Sequence, residues 1–144
     1  SVRNWATAGR PIYAECGGLM YLSKGVHNFE GRLHDMAGVF PFETAMTKKP
    51  RLGYREVHLG EDCIVGRKGA VLRGHEFHYS EITLVPGEAQ KALVYTVRDG
   101  QGREKGQEGF RYKNTLASYI HIHFGSNPRI VEHLAGFIKG ECTA

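Results

Sequence analysis

The pattern of apolar residues predicts an α/β fold: an open mixed β-sheet flanked by helices. Three observations lead there. Residues 11–22 read as strand, tight turn and helix; residues 31–98 hold short β-like runs separated by glycine and charge; residues 127–140 carry a helix with its own start and stop signals. The 144 residues, 41% hydrophobic and 24% charged, suit one domain with a core of its own. A chain of this length buries roughly 68–70% of the surface it exposes when unfolded, so it needs no disulfide scaffold or structural metal.

Each element follows from its residues. Trp5, Ala6 and Ala8 precede Gly9, as at the tail of a helix closed by a glycine. Pro11-Ile12-Tyr13-Ala14-Glu15 is a short apolar run fit for a buried strand, and beyond Cys16-Gly17-Gly18 the residues Leu19, Met20, Leu22 and Val26 recur at helical spacing. Strand-like runs follow at residues 36–42, 53–59, 70–73, 75–84 and 93–97, with 47–51 expected as a loop and 99–109 as a turn. Residues 116–124 form one continuous β-like run. Asn127-Pro128 then offers an N-cap with proline at the first helical position. Ile130, Val131, Leu134, Phe137 and Ile138 follow on one face, and Gly140 after Lys139 stops the helix.

Composition narrows the function. Lys and Arg total 19 against 15 acids, a net charge of +4 that fits an anionic ligand without requiring one. The basic residues are dispersed and do not interleave with aromatics, so nucleic acid is not implied. No stretch approaches the roughly 18 apolar residues of a membrane span, and the start lacks a signal-peptide run. Cys16, Cys63 and Cys142 are scattered and odd in number, which argues against a disulfide framework and for the cytoplasm. Lys48, Lys49 and Arg51, with Arg55 beyond, form either an anion-facing loop or a solvated surface.

Chemistry has three candidate locations. Ala14-Glu15-Cys16-Gly17-Gly18 places a nucleophile between a strand and a helix with small residues two before and two after, the spacing of a nucleophile elbow. The start of the helix favours thiolate, and the Gly17 amide is placed to donate to an oxyanion. The pentapeptide alone equally fits a buried structural cysteine. In Ser118-Tyr119-Ile120-His121-Ile122-His123-Phe124, strand alternation sends His121 and His123 to one face, as base and orienter for the thiol or as metal ligands. The third cluster, His75, Glu76, His78, Tyr79 and Ser80, is dense in polar groups and suits the lining of a site. A metal centre drawn from His75, His78, His121 and His123 is disfavoured, because three-residue spacing sends His75 and His78 to opposite faces.

Three blocks in order carry a resemblance: Pro11-Ile12-Tyr13-Ala14-Glu15-Cys16-Gly17-Gly18-Leu19-Met20-Tyr21-Leu22, then Gly74-His75-Glu76-Phe77-His78-Tyr79-Ser80, then Ala117-Ser118-Tyr119-Ile120-His121-Ile122-His123-Phe124. Together with Leu52-Gly53-Tyr54 they resemble the glutamine amidotransferase domain of the cobyrinic acid a,c-diamide synthases, class I amidotransferases of the cobyric-acid-synthase-like type. The resemblance implies a class I amidotransferase-like fold, Cys16 as nucleophile and His121 as the histidine that activates it; the elbow itself offers Gly17 as the oxyanion donor, and either His123 or a carboxylate from another segment is left to orient His121. It further implies glutamine as ammonia donor, a corrin polycarboxylic acid as acceptor, and a preceding synthetase region that uses ATP and Mg²⁺, with no cofactor in this chain.

Two departures accompany the resemblance. Wider relatives carry a glutamate two residues after the catalytic histidine, where this chain has His123. Nothing ahead of Arg10 matches the family's first strands or its glycine-rich oxyanion loop, so residues 1–144 read as the C-terminal portion of such a domain, lacking its first strands. Loss of one oxyanion donor costs on the order of 10²–10³ in kcat, so the isolated chain is expected to be a weak glutaminase. Two alternatives stay open: a non-catalytic remnant whose exposed strand edges favour a homo-oligomer, and a His-ligated metal protein on a β-rich scaffold.

Overall fold

The computed structural model describes residues 1–85, 87 and 92–140. Nine strands form one mixed sheet: β1 (Ile12–Glu15), β2 (Gly25–His27), β3 (Leu33–Asp35), β4 (Glu43–Leu59), β5 (Val71–Leu84), β6 (Leu93–Asp99), β7 (Glu104–Tyr112), β8 (Thr115–Ser118) and β9 (Ile120–Ile122). Helices α1 (Val2–Thr7), α2 (Gly17–Leu22) and α3 (Arg129–Lys139) flank it. The order is β1-β8-β7-β6-β4-β2-β3, with β5 branching from β4 and β9 pairing β5. β1 runs parallel to β8 and β2 to β4, while the other pairs are antiparallel, so the expected mixed sheet is present.

β8 shows why the sheet needs helices on both sides. All four of its residues are buried, and they alternate between two cores. Leu116 packs in a cluster with Ile130 and Phe137 of α3, whereas Ala117 packs in a second cluster with Leu19 and Leu22 of α2. In α3 the stripe facing the sheet is Ile130 and Phe137, both buried, with Leu134 partly buried between them, spaced four and three residues apart. Val131 and Ile138, expected on that face, lie about 100° around the helix and are exposed. Pro128 already has helical dihedrals, and Asn127 Oδ1 accepts the Arg129 N–H at 3.1 Å, so the start signal acts as anticipated. Gly140 closes the helix in the left-handed conformation.

Several sequence expectations differ from the structure for identifiable reasons. α2 ends at Leu22, and Ser23 Oγ donates to the carbonyls of Met20 and Gly25, so Val26 belongs to β2 and not to the helix. Residues 36–42 are buried at Phe40 and Phe42 but are not a strand. Their amides serve the end of α2: Ala37 donates to Tyr21 O, Gly38 to Ser23 O, and both Val39 and Phe40 to Leu22 O. The supposed loop at 47–51 remains extended within β4, although its ladder with β5 slips between Met46 and Arg51, around Pro50. Residues 70–73 and 75–84 merge into β5, and most of the expected turn at 99–109 is strand β7. β2 and β3 lie outside the runs read as strands.

The run 116–124 breaks at Tyr119, where the chain passes from one set of sheet neighbours to another. β8 pairs with β1 and β7, whereas β9 pairs with β5. The Glu108 carboxylate takes the Tyr119 N–H at 2.7 Å and the Ser118 hydroxyl, while Ser118 Oγ accepts the Ile120 N–H at 2.9 Å. The backbone groups released by the break therefore have side-chain partners.

Candidate active site

Cys16 sits where β1 turns into α2. Its N–H donates to Ser118 O at 2.8 Å, which ties the turn to β8. Its φ of 51° and ψ of −106° lie outside the regions that L-residues normally occupy. The sharp turn depends on small neighbours, since a Cβ at Gly18 would stand 3.0 Å from Ala14 Cβ. These are the residues two after and two before the cysteine. A Cβ at Gly17 would meet nothing within 4 Å, and its amide is directed at the sulfur.

The thiol is not a ready-made thiolate. Burial pushes the Cys16 thiol up, the Gly17 amide offsets part of that, and the neighbouring Glu15 charge adds to the rise. The helix start was expected to favour thiolate; in this structure desolvation outweighs it. Sγ donates to the Phe77 carbonyl at 3.7 Å. Such a thiol needs a proton acceptor before it can attack.

His121 lies across from His75 in the β5–β9 ladder, and their rings stack at 4.9 Å with 14° between planes. His75 and Phe77 are alternate residues of β5, so the strand offers His121 and Cys16 adjacent places along one edge of the site. No hydrogen bond joins Sγ to His121; the residue that lies against His121 is Glu15, which directly precedes Cys16 in the chain. Its Oε2 is 3.3 Å from His121 Nδ1, and its Oε1 accepts the Ile122 N–H at 2.8 Å and the Tyr13 hydroxyl at 2.5 Å. His123 follows the end of β9, donates its N–H to Arg73 O, and lays its ring beside Gly125. The alternation expected to keep it beside His121 stops at Ile122, and the carboxylate beside His121 is Glu15.

The third cluster divides as strand alternation requires. His75 and Tyr79 share the face of Phe77, while Glu76, His78 and Ser80 lie on the other. There His78 is held by Glu76 Oε1 and the Ser80 carbonyl, both at 2.7 Å, and stacks on Tyr119 at 3.8 Å. Ser80 Oγ donates to the Tyr119 hydroxyl at 2.9 Å, and Arg55 Nε donates to Glu76 Oε2 at 2.7 Å. Burial raises the Glu76 carboxyl, but His78 and Arg55 outweigh it and hold the group below the ordinary carboxylate range. Glu76, His78 and Tyr119 border a cavity of about 860 Å³ that also meets Arg51, Arg55 and Glu108. Only His75 of the cluster touches His121. Among the described residues, no three of His, Cys, Asp and Glu gather to hold a metal.

Sequence reasoning passed over Glu15 and Glu108. Glu15 carried a readable signal, a charge closing an otherwise apolar strand. Glu108 was hidden inside the expected turn. Burial pushes its carboxyl up to about 7, against hydrogen bonds from Ser118, Tyr119 and Gly109 that favour the ionised form. The folded value is the higher one, so the native state keeps a proton that the unfolded chain has released. This contribution is complete below the unfolded carboxyl's pKa of about 4.3 and is lost as pH rises through about 7. Urea denaturation at pH 5 and pH 8 is expected to show wild type losing on the order of 2–3 kcal/mol relative to Glu108→Gln. Parallel pH dependence in the two proteins would contradict the assignment.

Residues 1–129 match the family model of the CobB/CobQ-like glutamine amidotransferase domain. The chain belongs to that family. It is 49% identical over 116 residues to the cobyrinate a,c-diamide synthase of Caldanaerobacter subterraneus subsp. tengcongensis, covering 80% of this chain and 25% of that protein. The synthase of the same name from Syntrophotalea carbinolica is 43% identical over 143 residues, covering 98% of this chain and 31% of the relative. The chain thus spans a quarter to a third of the length of these curated relatives. A solved structure of a glutamine amidotransferase aligns with a TM-score of 0.61 at 15% identity, over 96% of this chain and 66% of that one, which establishes the shared fold. No helix among the described residues is long and apolar enough to cross a membrane.

Proposed function

We propose that this family member hydrolyses the side-chain amide of glutamine and releases ammonia for the a and c carboxylates of a corrin precursor, as the glutaminase portion of a cobyrinate a,c-diamide synthase. ATP and Mg²⁺ would serve a synthetase portion, for which the relatives leave room in the length outside the matched region. The observation that carries the reading is Cys16 in its strained strand-to-helix turn, with His121 against the adjoining Glu15.

His121 takes the thiol proton as Sγ attacks the amide carbon, and a sulfur–carbon bond forms while the Gly17 N–H faces the oxyanion. The carbon–nitrogen bond then breaks, with the proton passing from His121 to the leaving ammonia. Water hydrolyses the thioester to glutamate and restores the thiol. Substrate-free catalytic pairs are commonly loose and close on binding, which suits the Phe77-bound thiol.

6-Diazo-5-oxo-norleucine, a glutamine-like electrophile, is expected to label Cys16 in the intact chain. Mass spectrometry should find labelling at pH 7 slowed by at least about 100-fold in His121→Ala, at the lower end of the range for general-base catalysis. Equal labelling of both proteins would reject the pairing.

A further inference from the structure

The side chain of Glu15 makes three contacts that assign different duties to its two oxygens. Oε1 is committed to two donors, the Ile122 N–H at 2.8 Å and the Tyr13 hydroxyl at 2.5 Å. Oε2 faces His121 Nδ1 at 3.3 Å. The Tyr13 and Ile122 contacts anchor Oε1 from β1 and β9 and leave Oε2 at ion-pair distance from His121 Nδ1, a contact that is not aligned as a hydrogen bond in this substrate-free state. His75, stacked on the other side, fixes the ring plane of His121.

We infer that Glu15 is the positioning residue of this site: it accepts the His121 Nδ1–H and thereby holds the imidazole in the tautomer whose Nε2 is free to take the Cys16 proton. This role rests on the pairing of Cys16 with His121 proposed above. A neutral imidazole carries one N–H, and an acceptor at Nδ1 places the proton there. His123, offered by sequence for this duty, has no hydrogen bond or ring contact with His121 among the described residues, whereas Glu15 lies against His121 and is joined to the nucleophile by one peptide bond. The residue that orients the base and the residue that attacks are thus set by the same turn.

Glu15→Gln tests this sharply because it is nearly isosteric. Its amide oxygen can keep Tyr13 and Ile122, which leaves the NH₂ facing Nδ1. A donor there forces the proton to Nε2, the wrong nitrogen for accepting one from sulfur. A residue with a purely structural role would tolerate the change, since both Oε1 contacts survive.

The experiment uses the full chain with ¹⁵N-labelled histidine, and His121 is assigned by the signals lost in His121→Ala. Long-range ¹H–¹⁵N spectra at pH 8.5 are expected to show the Nδ1–H tautomer of His121 in wild type and the Nε2–H tautomer in Glu15→Gln. An Nε2–H tautomer in wild type overturns the proposal without any variant, as does an unchanged tautomer in Glu15→Gln. Inactivation by 6-diazo-5-oxo-norleucine should slow on the order of 10²-fold in its limiting rate, with half-saturation and thermal midpoint unchanged. A wild-type limiting rate in Glu15→Gln, with His121→Ala slow, overturns the positioning role and leaves the pairing standing. If His121→Ala reacts at the wild-type rate while the tautomer still shifts, the pairing falls and the catalytic positioning role falls with it, and Glu15 is left as the residue that sets the His121 tautomer alone.

Discussion

Gly74→Ala is expected to lower the thermal midpoint by about 10 °C and to slow covalent labelling of Cys16 by on the order of 10²-fold. Gly74 pairs with Ile122 across β5 and β9. A Cβ there would lie 2.1 Å from the His121 carbonyl oxygen, 2.9 Å from its carbonyl carbon and 3.1 Å from Ile120 Cγ2. Two of these atoms belong to the backbone, so no rotamer change makes room. β9 has only three residues, and its ladder to β5 is the hydrogen-bonded pairing that holds it in the sheet. Relief therefore requires β9 to move away and to carry His121 with it. Overpacking of this kind costs about 1–3 kcal/mol, and a backbone clash belongs at the upper end. Gly100→Ala is the control, since the nearest atom to a Cβ there is Tyr54 Cβ at 4.0 Å. Differential scanning calorimetry and labelling kinetics read the two effects; a Gly74→Ala protein that matched the control in both would show that β9 is not held as described.

The contrast between Gly74 and Gly18 shows what was legible from sequence. Gly18 belongs to a local pattern, small residues two positions either side of a nucleophile, and its contact with Ala14 could be anticipated from spacing alone. Gly74 touches a residue 47 positions away, and nothing in its neighbourhood announces that. The strand–turn–helix unit and α3 were readable for the same reason, since caps and periodicity are local. Residues 36–42 were misread because burial without sheet pairing produces the apolar texture of a strand; those amides go to the last turn of α2. The break at Tyr119 was invisible because it depends on Glu108, 11 residues upstream. Of the candidate site, Cys16 and His121 were legible as residue types in motifs, candidates for a nucleophile and its base. Glu15 stood in the same motif, but its contact with His121 arises only once β1 and β9 meet.

Cys16→Gly is expected to abolish covalent labelling and at the same time to yield a protein more stable than Cys16→Ala by about 1–2 kcal/mol in urea denaturation. Both variants remove the thiol, so neither forms an adduct. They differ in what they do to the turn. Alanine retains a Cβ at φ 51° and ψ −106°, where an L-residue costs on the order of 1–3 kcal/mol. Glycine adopts that conformation freely, although its looser unfolded chain takes back about 0.4–1 kcal/mol. The Ser118 bond to the residue-16 N–H uses backbone on both sides and survives in each variant. The difference between them therefore isolates the strain, and a glycine variant no more stable than alanine would mean that the turn stores none. A side chain held at this cost, in a place where glycine is the better structural choice, is hard to account for as packing. Cys63 shows the contrast, a fully buried cysteine with ordinary backbone in the core cluster under α3. Of the two described cysteines, the one at the turn alone occupies a conformation that stability would have given to glycine.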